Sequence, residues 1–129
     1  MKIKPLFVLL LAALALYSCS HTSKSKVKFL SLGVESFEKF IQHDDVYLVD
    51  VRTAQEHAQG SIEGTDENLD VKGATFFSDF KRLPKDKTIA VYCKGGGRSK
   101  QVAGVLAGNG YKVVELATGY DGWVKHHQQ

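Results

Sequence analysis

The chain has 129 residues, with 17 Lys and Arg against 14 Asp and Glu, two Cys and 43% hydrophobic residues. That length holds one domain, and two cysteines allow at most one intramolecular bridge, which excludes a disulfide scaffold. A formal charge of +3 is too small to suggest a nucleic-acid binder, so no nucleic acid is expected as a partner.

Residues 1–18 read as an export signal. Lys2 and Lys4 precede an unbroken apolar run from Leu6 to Leu16, the n-region and h-region order of such segments. The run is well short of the roughly 20 residues a spanning helix needs. Two processing readings fit. Ala13-Leu14-Ala15 suits ordinary small-x-small cleavage, whereas Leu16-Tyr17-Ser18-Cys19 resembles a bacterial lipobox, in which the cysteine is lipidated and becomes the new N-terminus. The second reading makes Cys19 the lipidation site and residues 19–28 a polar tether. It also makes residues 29–129 the domain, which would be exported, membrane-held and facing the periplasm or cell exterior. Removing 18 of the 129 residues leaves 111, and the loss of Lys2 and Lys4 takes the net charge from +3 to +1.

The rest alternates between strand and helix patterns. Val27 to Leu32 is a first strand, and Phe37, Phe40 and Ile41 recur at helical spacing within Val34 to Gln42. Val46 to Val49 is a short buried strand bounded by aspartates. Ala54 to Gln59 is a short helix ended by Gly60, and Thr75 to Arg82 is a helix stopped by Pro84. Thr88 to Tyr92 is the strongest strand, followed by a helix over Ser99 to Leu106. Lys112 to Leu116 is the last strand, and Gly119 to His127 the last helix. Such alternation predicts an α/β sandwich: a mainly parallel central sheet flanked by helices in three layers.

The chemistry concentrates after the strongest strand, in Cys93-Lys94-Gly95-Gly96-Gly97-Arg98-Ser99. Sites in open α/β sheets form at the carboxyl ends of strands. Three glycines free the loop backbone to turn its N–H groups inward as an anion nest. A helix N-terminus and the charges of Lys94 and Arg98 add positive potential, so the Cys93 thiol is expected to ionise below the pH of a free cysteine. The bland alternative is a buried, inert core cysteine. The loop is no Walker motif, because the Gly-Lys-Ser/Thr order is missing.

Cys93, Gly96, Arg98 and Ser99 match in register the Cys-x-x-Gly-x-Arg-Ser loop of single-domain rhodaneses, which this chain resembles. Leu48-Val49-Asp50-Val51-Arg52-Thr53, with Glu56, His57, Gly60, Ile62 and Gly64, is similar to the family's Asp-Val-Arg segment. Gly110-Tyr111-Lys112-Val113, then Gly119-Tyr120 and Gly122-Trp123, are similar to its closing segment. The likeness runs from about Ser31 to Lys125. Ser61, Thr65 and Thr118 depart from the family pattern, and the segment Gly64 to Asp70 is one residue longer.

The resemblance implies a rhodanese-type sulfurtransferase. Its cysteine thiolate takes sulfur from a small sulfur anion such as thiosulfate, or from a persulfide, and passes it to a thiol. Lys94, Gly95, Gly96, Gly97, Arg98 and Ser99 would bind the substrate and the persulfide anion, with Arg98 orienting a donor sulfonate and Ser99 capping the helix. Asp50, Arg52 and Glu56 would support the site, with Arg52 paired to Glu56. Trp123 is expected as a core anchor, and His43 and His57 as surface residues. His126 and His127 lack further ligands, so no metal and no cofactor are expected; a monomer is. A cysteine phosphatase or arsenate reductase on the same architecture remains an alternative, although those loops carry five residues between Cys and Arg where this one carries four. A non-catalytic binding module is the other.

Overall fold

The computed structural model describes residues 28–129; the export signal, Cys19, most of the tether and Val27 lie outside the described residues. Five strands, β1 (Leu30–Leu32), β2 (Val46–Asp50), β3 (Glu67–Asn68), β4 (Thr88–Tyr92) and β5 (Val113–Leu116), form one sheet in the order β1-β5-β4-β2-β3. Every pairing is parallel. The helices are α1 (Val34–Phe40), α2 (Ala54–Ala58), α3 (Phe76–Asp79), α4 (Gly97–Gly108) and α5 (Gly119–His127). This is the α/β architecture that the alternation predicts. Among the described residues no helix is long and apolar enough to cross a membrane.

A parallel sheet is covered on both faces, so its strands are apolar at consecutive positions rather than at alternate ones. β4 shows this directly. Ile89, Val91 and Cys93 enter one core with Val102, Ala103 and Leu106 of α4, whereas Ala90 and Tyr92 enter another with Phe37, Val114 and Leu116. Side chains two apart share a face. Trp123 is half-buried against the second core, as an anchor there should be.

Several elements differ from the sequence expectation, each for a local reason. The helix expected over Thr75 to Arg82 is α3 followed by a 3-10 turn, Phe80–Arg82. Leu83, before Pro84, is extended (φ −59°, ψ 143°), as a residue preceding proline prefers. Helix α4 starts at Gly97, two residues before Ser99, because Gly96 supplies its N-cap with φ +103°. Ser99 is therefore not the cap. β3 has only two polar residues and no periodicity, yet it pairs with Val49 and Asp50.

The departures from the family pattern are accommodated in place. Thr65 Oγ1 donates to the Ile62 carbonyl at 2.6 Å and lies 2.9 Å from the hydroxyl of buried Tyr92, which also accepts the Ile62 N–H at 3.1 Å. A Cβ on Gly122 would overlap Thr118 Oγ1, so the glycine makes room for the threonine. Burial, only partly offset by the bonds from Thr65 and Ile62, pushes the Tyr92 phenol up to about 12. It therefore stays a neutral hydroxyl. Tyr92→Phe leaves the Ile62 N–H without its partner, and the cost in urea unfolding is expected to be about 1–3 kcal/mol.

Candidate active site

Strands β2, β4 and β5 end side by side: Asp50 is paired with Tyr92, and Val91 with Glu115. The segments that follow them, 51–53, 93–97 and 117–119, therefore meet at the carboxyl edge of the sheet. This is where such sheets bind ligands. Cys93 lies at the centre of that edge and is 1% exposed.

The loop backbone is fixed from behind. Tyr120 N–H donates to the Cys93 carbonyl at 2.8 Å and Asp121 N–H to the Lys94 carbonyl at 3.0 Å. The first turn of α5 thus holds the loop carbonyls away from the sulfur. Only glycine fits at two of these contacts. Gly119 has φ +65°, and a Cβ there would overlap the Lys94 carbonyl; Gly96 has φ +103°, and a Cβ there would overlap the Ala117 carbonyl.

With its carbonyls turned back, the loop offers donors to the sulfur. Gly96 N–H points at Cys93 Sγ across 3.1 Å, and Ser99 Oγ lies 3.5 Å away. Burial works against ionising the thiol. The Ser99 hydroxyl and the N–H groups of Ser99, Gly96 and Arg98 outweigh it, and the Cys93 pKa falls below the ordinary thiol value. The direction expected from the sequence holds, and its main cause is hydrogen bonding to the loop.

The charged residues around the loop are paired, in a pattern different from the expected one. Arg98 makes a fork with Glu56, at 2.8 and 2.9 Å. Arg52, expected to pair with Glu56, instead binds Asp50 through Nε (3.0 and 3.1 Å) and Nη2 (2.6 Å), and Nη2 also donates to the Gly60 carbonyl at 2.6 Å. The reason is local. Thr53 caps α2 in a capping box with Glu56, which aims that carboxylate across to Arg98. Lys94 pairs with Asp121 at 2.8 Å. His57, expected at the surface, is half-buried with Nδ1 2.9 Å from Asp50 Oδ2. His43 is exposed.

Arg52, Glu56, Gln59, Lys94, Tyr120 and Asp121 line a cavity of about 270 Å³ at the mouth. The Arg52 guanidinium lies over the Tyr120 ring, 4.3 Å from its centre. Asn68 ties β3 to this edge by donating to the Asp50 and Arg52 carbonyls at 3.0 and 2.9 Å. Sequence reasoning placed Tyr120 in the closing segment without a role at the site, and it did not find Gln59, Asp121 or Asn68, whose local sequence gives no sign of one. Nor did it find Glu115, 0% exposed on β5, although a charged residue between Val114 and Leu116 in a buried strand is a signal in itself. Among the described residues no group of three His, Cys, Asp or Glu could hold a metal ion.

Fold and site together define an α/β protein built around one cysteine in a glycine-rich anion loop. The rhodanese-like domain family matches residues 24–126, and the chain belongs to that family. A sulfurtransferase of Allochromatium vinosum is 33% identical over 90 residues, 69% of this chain and 81% of the relative. A tRNA uridine(34) hydroxylase of Acinetobacter baumannii is 32% identical over 127 residues, but this chain spans only 40% of its length. A rhodanese-related protein of Thermoplasma volcanium has the same fold, with a TM-score of 0.66 at 24% identity over 76% of this chain and 93% of that one.

The clamp on Arg98 gives a pH signature. Chiefly through the Arg98 hydrogen bonds, the Glu56 carboxyl is lowered from 4.5 to about 2. A carboxyl lowered on folding stabilises the protein above its unfolded value, and that contribution is lost as the pH falls through the folded value. Urea unfolding at pH 7 and at pH 3 is expected to show Glu56→Gln less stable than the native chain at pH 7. The gap should narrow at pH 3, where the native carboxylate begins to lose its advantage.

Proposed function

We propose that the chain is a rhodanese-type sulfurtransferase that moves a sulfane sulfur through a persulfide on Cys93. The observation that carries this reading is the Cys93 sulfur itself, held by loop donors that lower its pKa in a residue only 1% exposed. A sulfur so enclosed is reached by a single protruding atom, the shape of the outer sulfur of thiosulfate or of a persulfide. Four residues separate Cys93 from Arg98, a tighter loop than a tetrahedral oxyanion takes.

In this reading the thiolate attacks the donor's outer sulfur. The new S–S bond forms on Cys93, the donor's own bond to that sulfur breaks, and its electron pair leaves with sulfite or with the donor thiolate. An acceptor thiolate then attacks the outer sulfur of the persulfide and returns Cys93 as thiolate. N–H groups from Lys94 to Ser99 stabilise the persulfide anion as an oxyanion hole would. Arg98 keeps N–H donors beyond the two directed at Glu56 and can face a donor sulfonate. Asp50, Arg52 and Glu56 hold the mouth in shape rather than touching the sulfur. No cofactor takes part.

In the same reading the protein lies outside the cytoplasm as a lipoprotein held to a membrane through Cys19, on the strength of the sequence around that residue. Intact-mass analysis of the mature protein before and after thiosulfate tests both halves. The expected results are a lipid-bearing N-terminus at Cys19 and the added mass of one sulfur atom, removed by cyanide as thiocyanate and absent in Cys93→Ser. A chain that gains no sulfur and yields no thiocyanate would sink the sulfur-transfer reading. Hydrolysis of an aryl phosphate that Cys93→Ser abolishes would replace it with a phosphatase.

A further inference from the structure

One buried ionisable group has no part in the chemistry described so far. Glu115 is fully enclosed on β5, between Val114 and Leu116, which face the second core. Its own row holds Val113 and lies under α4, where an apolar residue would be expected. Enclosing a carboxylate is costly unless it is paired and hydrogen-bonded. Here it is both. Lys100 Nζ lies 3.1 Å from Oε1, the Ser31 hydroxyl donates to the same oxygen, and Ser99 Oγ donates to Oε2 at 2.9 Å.

Ser99 has one hydroxyl proton and three acceptors within reach: Glu115 Oε2, the Gly96 carbonyl at 3.0 Å and Cys93 Sγ at 3.5 Å. It can serve them only in turn. When Cys93 is a thiol, its S–H donates to Ser99 Oγ, and the hydroxyl donates onward to Glu115. When Cys93 is a thiolate, the hydroxyl can turn to Sγ, and Glu115 then loses that bond.

We infer that Glu115 is a positioning residue that competes with Cys93 for the Ser99 proton and thereby sets how readily the sulfur ionises. The inference rests on the sulfur-transfer reading only in taking Cys93 as the working group. Glu115 opposes the anion twice, by withholding the hydroxyl and by its own charge. Lys100 moderates both effects, and it also reaches the carbonyls of Gly96 (3.4 Å) and Ala117 (3.0 Å). The other charged groups around Cys93 are already matched: Lys94 with Asp121 of α5, Arg98 with Glu56 of α2, and Asp50 with both Arg52 and His57. Tyr120 lies against Arg52. Glu115 and Lys100 form the remaining pair and, among the described residues, the only one joined to the sulfur through a single hydroxyl. A thiolate stabilised too strongly is a poorer nucleophile, because nucleophilicity falls with pKa. A carboxylate that takes back part of the stabilisation keeps the sulfur reactive and lets the persulfide be passed on.

The test is the pH dependence of iodoacetamide alkylation, followed by mass on the peptide carrying Cys93 in the full chain. It needs no sulfur donor, so its outcome is independent of whether sulfur is transferred. Glu115→Gln removes the charge and lets the side-chain amide donate to Ser99 Oγ, and the alkylation midpoint is expected to fall by about one pH unit. Lys100→Met, at an exposed position, is expected to raise it. In a Ser99→Ala background the Glu115→Gln shift should shrink by at least half. An unchanged midpoint in Glu115→Gln, or a shift of full size without Ser99, would overturn the inference. Should Glu115→Gln fail to fold, Lys100→Met decides alone, and a midpoint that stays in place or falls overturns it.

Discussion

The site depends on where two carbonyl groups point. A loop that leaves a strand and enters a helix has as many C=O as N–H groups, and an anion at its centre is stabilised only when the carbonyls face elsewhere. Here the N–H groups of Tyr120 and Asp121, at the start of α5, take the carbonyls of Cys93 and Lys94. The approach is too close for a side chain at Gly119, and the same holds at Gly96 against Ala117. A residue 26 positions away from Cys93 thus governs its chemistry through the backbone. The start of α5 would otherwise point its unpaired N–H groups at water. The loop and the helix satisfy one another, and neither keeps its geometry without the other.

Charge is handled with the same economy. Arg52, Lys94 and Arg98 ring the mouth, and each faces a carboxylate: Asp50, Asp121 and Glu56. The attraction offered to an anion at the sulfur therefore comes from backbone dipoles more than from loose cations. Dipoles fixed by the fold need little rearrangement when charge arrives, which makes them effective in a site closed to water. The ion pairs also hold the walls. Arg98 joins α4 to α2, and Arg52 joins the end of β2 to the loop at Gly60.

The sequence carried four of the five strands of the described residues, Cys93 and the loop after it plainly, because each rests on local pattern. Thr88 to Tyr92 is apolar at consecutive positions, and Cys93 to Ser99 is dense in unusual residues. The partners of charged residues were less legible. Arg52 and Glu56 stand at helical spacing, which suggests a pair. Arg52, however, precedes the cap at Thr53 and so is not on the helix. Its distance in sequence from Glu56 says nothing about its distance in space. Ser99 has the residue type of a cap but lies three residues past Gly96, whose backbone is unrestricted enough to take the left-handed cap position. The contact of Tyr120 and Asp121 with the loop is long-range, and its bonds to the loop carbonyls come from the backbone, which residue type does not announce.

Among the described residues the buried polar side chains are Asp50, Arg52, Ser99 and Glu115, and all four lie at the carboxyl edge beneath or beside Cys93. Elsewhere the core is apolar but for the hydroxyls of Tyr92 and Tyr111, both hydrogen-bonded. Each of the four is hydrogen-bonded, and no enclosed side-chain nitrogen or oxygen among the described residues lacks a partner. Such networks bring less stability than well-packed apolar residues of the same volume, since desolvation offsets most of the pairing. Their concentration at one edge therefore marks where the fold gives up stability for a defined arrangement of donors and charges. The apolar strands below supply the rigidity that lets it do so. Val91 and Cys93 lie in one packed row with Val102 and Ala103. The cysteine's backbone is thus part of the core, while its sulfur faces the polar edge.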